Sequence, residues 1–197
     1  MPIRPEARKP LGSALLSRPA SEVAPELIGC ALLRDGVGGI IVETEAYEQQ
    51  EPACHAYAGL TARTEVLFGP PGLAYVYLSY GIHQLFNIVT GEEGRGEAVL
   101  IRALEPRWDL AAMRRRRRVS NDRALCAGPG RLSQALGVSL ADNRADLAEP
   151  PFQLLSRRAD QQHEMIVAGP RIGISKATDL PWRHSRVGSS WLSAKAS

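Results

Sequence analysis

The sequence predicts an α+β fold: a single domain on a largely antiparallel, mixed β-sheet, with surrounding helices and a protruding β-hairpin. Apolar segments recur in pairs joined by short turn signals, where parallel βαβ units would need a helix between successive strands. The helical stretches are few and short, opened by Ser or Pro and closed by Gly. At 197 residues, 44% hydrophobic and 23% charged, the chain has the length and balance of one ordinary core.

Taken in order, residues 1–16 read as a flexible N-terminal arm and 17–197 as the folded domain. Ser17 to Gly29 (SRPASEVAPELIG) predicts a helix with a Ser cap, Pro near its start and Gly past its end. CALLR (Cys30 to Arg34) and GIIVETEAY (Gly39 to Tyr47) flank DGVG, a hairpin turn. After an irregular polar stretch, GPPG (Gly69 to Gly72) launches a strand near Leu73, and IHQLFNIVT (Ile82 to Thr90) returns beside it. AVLIRAL (Ala98 to Leu104) predicts a further strand, and Pro106 the opening of a helix that runs into an arginine cluster. GRLSQALG predicts a helix from Gly130 closed by Gly137, and RIGIS (Arg171 to Ser175) a late strand.

Composition narrows the function classes. No apolar run approaches the ~20 residues that span a bilayer, and the N-terminal segment lacks a signal-peptide core, which predicts a cytoplasmic protein with no membrane partner. Cys30, Cys54 and Cys126 are too far apart for a zinc motif and read as plain buried thiols. No metal site is expected, since His83, His163 and His184 are solitary and His55 has only Cys54 beside it. MRRRRRV (Met113 to Val119), with Arg102, Arg107, Arg123 and Arg131, forms a basic cluster. It reads either as phosphate-binding forks or as solvated cations opposing a helix dipole.

Period-two spacing in IIVETEAY places Glu43, Glu45 and Tyr47 on one face of a strand. That alternation describes the solvated face of an antiparallel strand, or a cleft wall where a carboxylate beside a ring acts as a general base. CAGPGRLSQALG is no P-loop, yet it delivers Gly130 and Arg131 to a helix N-terminus where one phosphate could sit. YVYLSYG (Tyr75 to Gly81) holds three of the chain's five tyrosines. Tyr75 and Tyr77 share a strand face, with Tyr75 expected as packing. Tyr80 stands at the hairpin tip, where an exposed ring is costly unless a partner such as an opened base step covers it.

These segments, in this order, resemble the alkyladenine DNA glycosylase family, the 3-methyladenine DNA glycosylases of the mammalian type. The resemblance rests on VETEAY, His55, PGLAYVYLSYG, Asn87 and VLIRALEP, and extends through CAGPGRLSQALG and RIGIS to the GSSW near the C-terminus. It implies a monofunctional enzyme that needs no cofactor, enters the DNA minor groove with its hairpin, flips a damaged purine from the duplex and hydrolyses its N-glycosidic bond. The lesions implied are 3-methyladenine, 7-methylguanine, hypoxanthine and ethenoadenine.

By the same resemblance Glu45 is the general base, Arg102 helps hold the attacking water, and Ile174 offers a backbone acceptor. Tyr47, His55 and Tyr77 line the base pocket, and Asn87 rejects normal guanine. Tyr80 is the wedge. Arg63, Gly130, Arg131 and Lys176 are the further residues expected to contact DNA, read from their own chemistry and not from the resemblance. The partner is double-stranded DNA carrying damaged purines, met by a monomer in the cytoplasm, at the nucleoid in a prokaryote. The chain departs from the family pattern in a loop one residue shorter between Tyr47 and His55, and in SKATDLPW after RIGIS. Competing expectations are a non-catalytic nucleic-acid binding protein with the same tip and basic surface, and a small-molecule hydrolase built on Glu43, Glu45 and His55.

Overall fold

Turn chemistry sets the strand pairing. Asp35 and Gly36, at φ of 50° and 76°, join β1 (Ala31–Arg34) to β2 (Val37–Tyr47). Tyr80 and Gly81, at φ of 49° and 72°, turn β3 (Ala74–Ser79) into β4 (His83–Val89), and the Ile82 N–H donates to the Ser79 carbonyl at 3.1 Å. Positive φ at both central positions matches the right-handed strand twist, and glycine supplies it without strain at the second. The computed structural model of the chain describes residues 8–158 and 165–194.

With β5 (Ala98–Trp108) and β6 (Phe152–Leu155), the strands run in the order β3-β4-β5-β2-β1-β6. Every pairing among the described residues is antiparallel. The central strand β2 pairs with β5 along one edge and divides the other. Its first residues take β1, and Glu43 to Glu45 take β8 (Arg183–Arg186), which is extended in turn by β7 (Ile166–Gly169).

Helices cover the sheet: α1 (Ser13–Leu16), α2 (Ala20–Glu26), α3 (Leu110–Arg117) and α4 (Pro129–Leu136). Val23 and Ala24 of α2 and Leu132, Ala135 and Leu136 of α4 join Phe86, Ile88, Val99 and Ile101 of the strands in the main core. Each fully buried Leu, Ile, Val or Phe contributes about 1.5–3 kcal/mol. α4 can press against β4 because Gly130 has no side chain: a Cβ there would stand 3.0 Å from the His83 ring. Among the described residues no helix is long and apolar enough to cross a membrane.

Several local expectations are corrected. Ser17 ends α1 and does not cap α2; the first amides of α2 are taken by buried carboxylates, Ala20 N–H by Glu97 and Ser21 N–H by Glu48. Pro106 lies inside β5, beside a register shift that accommodates its missing N–H, and α3 starts later, capped by the Asp109 side chain on the Ala112 N–H. Arg171 to Ser175 is an irregular loop between β7 and β8. From Lys9 onward the residues read as an arm meet the sheet: the Lys9 carbonyl accepts from the Ser156 N–H, the Leu11 N–H donates to Leu154, and Leu16 is buried. All three cysteines are buried and free.

Candidate active site

The alternation in β2 separates two buried faces, so the solvated-face reading of Glu43 and Glu45 is overturned: both are 0% exposed. Thr44 turns to the helix side, its hydroxyl donating to the Ala24 carbonyl at 2.8 Å. Glu43, Glu45 and Tyr47 turn the other way, where register shifts around Glu43 adjust their aim. Arg102 of β5 meets them there, Nη1 donating to Glu45 Oε2 at 3.1 Å and Nε standing 3.6 Å from Glu43 Oε1.

The two carboxylates are held differently. Glu43 accepts from Arg183 at 3.2 Å and from the Ser193 N–H at 2.7 Å, so it ties the C-terminal segment to the sheet. Glu45 accepts the Tyr47 hydroxyl at 2.8 Å on Oε2, together with Arg102, and the Ile172 N–H at 2.7 Å on Oε1. A carboxylate offers roughly four acceptor positions, which leaves one on Oε1. Burial pushes the Glu45 carboxyl above the usual carboxylate range, against the opposing pull of Arg102, the Ile172 N–H and Tyr47. The Tyr47 phenol is raised well above its ordinary value, by burial first and the Glu45 charge second, so it remains a donor.

Glu45 lies just behind the wall of a cavity of about 960 Å³; its partners Tyr47, Arg102 and Ile172 are part of that wall. Tyr47, His55, Tyr77, Asn87 and Ile174, the expected base-pocket residues, all line the same space. The His55 ring meets Tyr77 edge-on at 4.5 Å between centroids. Burial, with Arg63 beside it, depresses the imidazole to about 4, so His55 is neutral at pH 7. Asn87 is buried, its side-chain amide donating to the Tyr75 carbonyl at 3.1 Å.

The expected DNA-contacting residues divide. Tyr80, 88% exposed, stands at the hairpin tip on the cavity rim. Arg63, Gly130 and Arg131 also line the cavity, and Arg131 donates to the Ala127 carbonyl at 3.2 Å. Lys176 is exposed and lies outside the lining. Within the arginine run, Arg114 pairs with Asp122, while Arg116 and Arg117 bond the Ala135 and Leu125 carbonyls, so these three brace α3 against its surroundings.

Sequence reasoning missed two supports. Tyr75 is buried, as packing requires, but its hydroxyl also meets His55 Nδ1 at 2.9 Å and its ring stacks on Tyr77 at 5.4 Å. Arg171 is the larger omission. Its fully buried guanidinium bonds Glu51 at 2.6 and 3.0 Å and the carbonyls of Ala46 and Ala177 at 2.9 and 3.2 Å. It also lies over the rings of Tyr47 (4.7 Å) and Trp182 (5.4 Å). Arg171 thereby backs Tyr47 from outside the cavity and anchors the loop that presents the Ile172 amide to Glu45. The only hint in the sequence was an arginine directly before an apolar IGI.

This geometry can be set against known proteins. The family model for methylpurine-DNA glycosylase (MPG) matches residues 14–190. The chain belongs to that family. Its relatives include a protein of Rhodopseudomonas palustris strain BisB18, 56% identical over 183 residues, which cover 93% of this chain and 90% of the relative. One from Nitrobacter winogradskyi is 54% identical over 194 residues, covering 98% and 91%, and one from Bradyrhizobium diazoefficiens is 53% identical over 189 residues, covering 96% and 93%. All three are provisionally named 3-methyladenine DNA glycosylase. Family membership makes the chain an enzyme of DNA repair, a DNA glycosylase.

Proposed function

We propose that this DNA glycosylase removes alkylated and deaminated purines, among them 3-methyladenine, 7-methylguanine, hypoxanthine and ethenoadenine, by direct hydrolysis of the N-glycosidic bond. The hairpin enters the minor groove, Tyr80 fills the vacated stack, and the flipped base settles among Tyr47, His55 and Tyr77. A water at the remaining acceptor position of Glu45 Oε1, with Arg102 and the Ile174 carbonyl beside it, attacks the sugar C1′ as the bond to the base breaks. Glu45 takes the water's proton, the departing purine takes the bonding electrons, and an abasic site remains.

The observation that carries this reading is Glu45: a fully buried carboxylate with one acceptor position left, bonded through Tyr47, Arg102 and Ile172 to the wall of an aromatic cavity. Cleavage develops positive charge on the sugar, which a nearby carboxylate stabilises while it orients water. A raised carboxyl pKa brings the base closer to the working pH, where a general base is most effective. A carboxylate so buried gives little to DNA affinity, which weighs against a purely binding role. Among the described residues no lysine lines the cavity, which supports hydrolysis by water over attack by an amine. The protein acts as a monomer on cytoplasmic, nucleoid DNA.

The test is incubation of the purified protein with duplexes carrying each of the four lesions, scoring free base and abasic sites. Release of at least one base with an abasic product is expected. No release from any duplex would refute the proposal.

A further inference from the structure

Four arginines line the cavity: Arg63, Arg102, Arg117 and Arg131. Three are committed elsewhere, Arg102 to Glu43 and Glu45, Arg117 to Gln134 and two carbonyls, and Arg131 to Ala127. Arg63 differs. Its guanidinium stands 5.6 Å from the centroid of the Tyr77 ring, and Nη2 is 3.4 Å from His55 Nε2. Among the described residues no carboxylate pairs with it, nor with Arg117 or Arg131, and what sets Arg63 apart is its place against the Tyr77 and His55 rings. Its neighbours at the aromatic end of the cavity are the neutral His55 and the Tyr75 and Tyr77 phenols, the latter raised to about 12 by burial.

Such a group acts on a base in two ways. Its charge is uncompensated, so a purine carrying a formal positive charge meets like-charge repulsion, and the guanidinium already occupies part of the cation-attracting surface of Tyr77. Its forked donors, in contrast, match a pair of purine acceptors such as O6 and N7, the pair that arginine reads on guanine. Hypoxanthine has both acceptors and no charge. 7-Methylguanine has lost the N7 acceptor to alkylation and gained the charge.

We propose that Arg63 sets the charge preference of the base pocket, favouring neutral purines with a free O6/N7 edge over cationic N-alkylated purines. This role differs from contacting the DNA backbone, and it rests on the glycosylase reading above.

The experiment compares single-turnover excision of hypoxanthine and of 7-methylguanine from otherwise identical duplexes, for wild type, Arg63→Gln and Arg63→Lys. Arg63→Gln is expected to raise the 7-methylguanine to hypoxanthine rate ratio by about tenfold, the repulsion of two unit charges roughly 6 Å apart at an effective dielectric constant near 40. Arg63→Lys keeps the charge and loses the fork, so it slows hypoxanthine excision while 7-methylguanine excision stays suppressed. If Arg63→Gln slows both lesions by one factor and leaves the ratio unchanged, Arg63 is a phosphate contact and the inference is overturned. Wild type inactive on both, and on the other two lesions, would instead remove the glycosylase reading on which the inference stands.

Discussion

Arg171 holds Tyr47 and the Ile172 amide in place through one buried contact set, which makes its removal a demanding test. Arg171→Met deletes two bonds to Glu51, two to main-chain carbonyls and the stacking on Tyr47 and Trp182, and leaves Glu51, whose side chain is 5% exposed, without its cation. Removing one partner of a buried pair costs about 3–5 kcal/mol. At about 2–4 °C per kcal/mol for a chain of this size, Tm falls by roughly 6–20 °C. Adding Glu51→Gln removes the orphaned charge and keeps an oxygen for the Ala53 N–H, so the double variant recovers part of that loss.

Excision follows a different course. Neither substitution in the pair restores the backing of Tyr47 or the anchor of the 171–177 loop, so single-turnover excision stays low in the double variant even where Tm recovers. The assay is a thermal melt beside base release from a hypoxanthine duplex, well below the lowered Tm. If Arg171→Met melts within about 2 °C of wild type, the energetic argument is wrong. If activity returns in step with Tm in the double variant, Arg171 serves stability alone.

Three further outcomes follow from the site. As the proposed base, Glu45 must be ionised to work, and its carboxyl is raised by burial, so the acid limb of kcat/KM should lie above about pH 4.3, the ordinary glutamate value. A limb at or below that value would contradict the assignment. The same shift means that the Glu45 contribution to stability is greatest below the unfolded pKa and is lost as pH rises through the folded one, because the folded state holds the proton more tightly. Tyr80→Asn removes the exposed ring and keeps a residue that tolerates φ of 49°, so it should leave Tm unchanged and slow excision by roughly tenfold or more. Unchanged excision and lesion-duplex affinity would remove the wedge from the account.

How far the sequence reveals this molecule depends on how local each signal is. The DG and YG turns, and Gly137 closing α4, are determined by neighbouring residues, and the strands they join were legible from pattern alone. The alternation in VETEAY gave the correct faces, but burial of Glu43 and Glu45 depends on Arg102, Arg183 and the Ser193 amide, the last two about 140 and 150 residues away. The cap of α2 was misread for the same reason, since its acceptors are Glu97 and Glu48 and not the adjacent Ser17. Pro106 announced a helix because proline opens helices more often than it sits in a strand, and only the shifted β2 register lets it remain in β5. Arg171 was invisible because a buried guanidinium looks, in sequence, like any other arginine.

The central claim is that the Glu45 carboxylate activates the water. It is tested most directly by Glu45→Gln, measured for lesion-duplex affinity and single-turnover base release on one folded preparation. Glu45 lies behind the cavity wall, so the account predicts affinity near wild type with excision reduced by about 10²–10⁴-fold, the usual contribution of a positioned general base. Excision at the wild-type rate in that variant would contradict it.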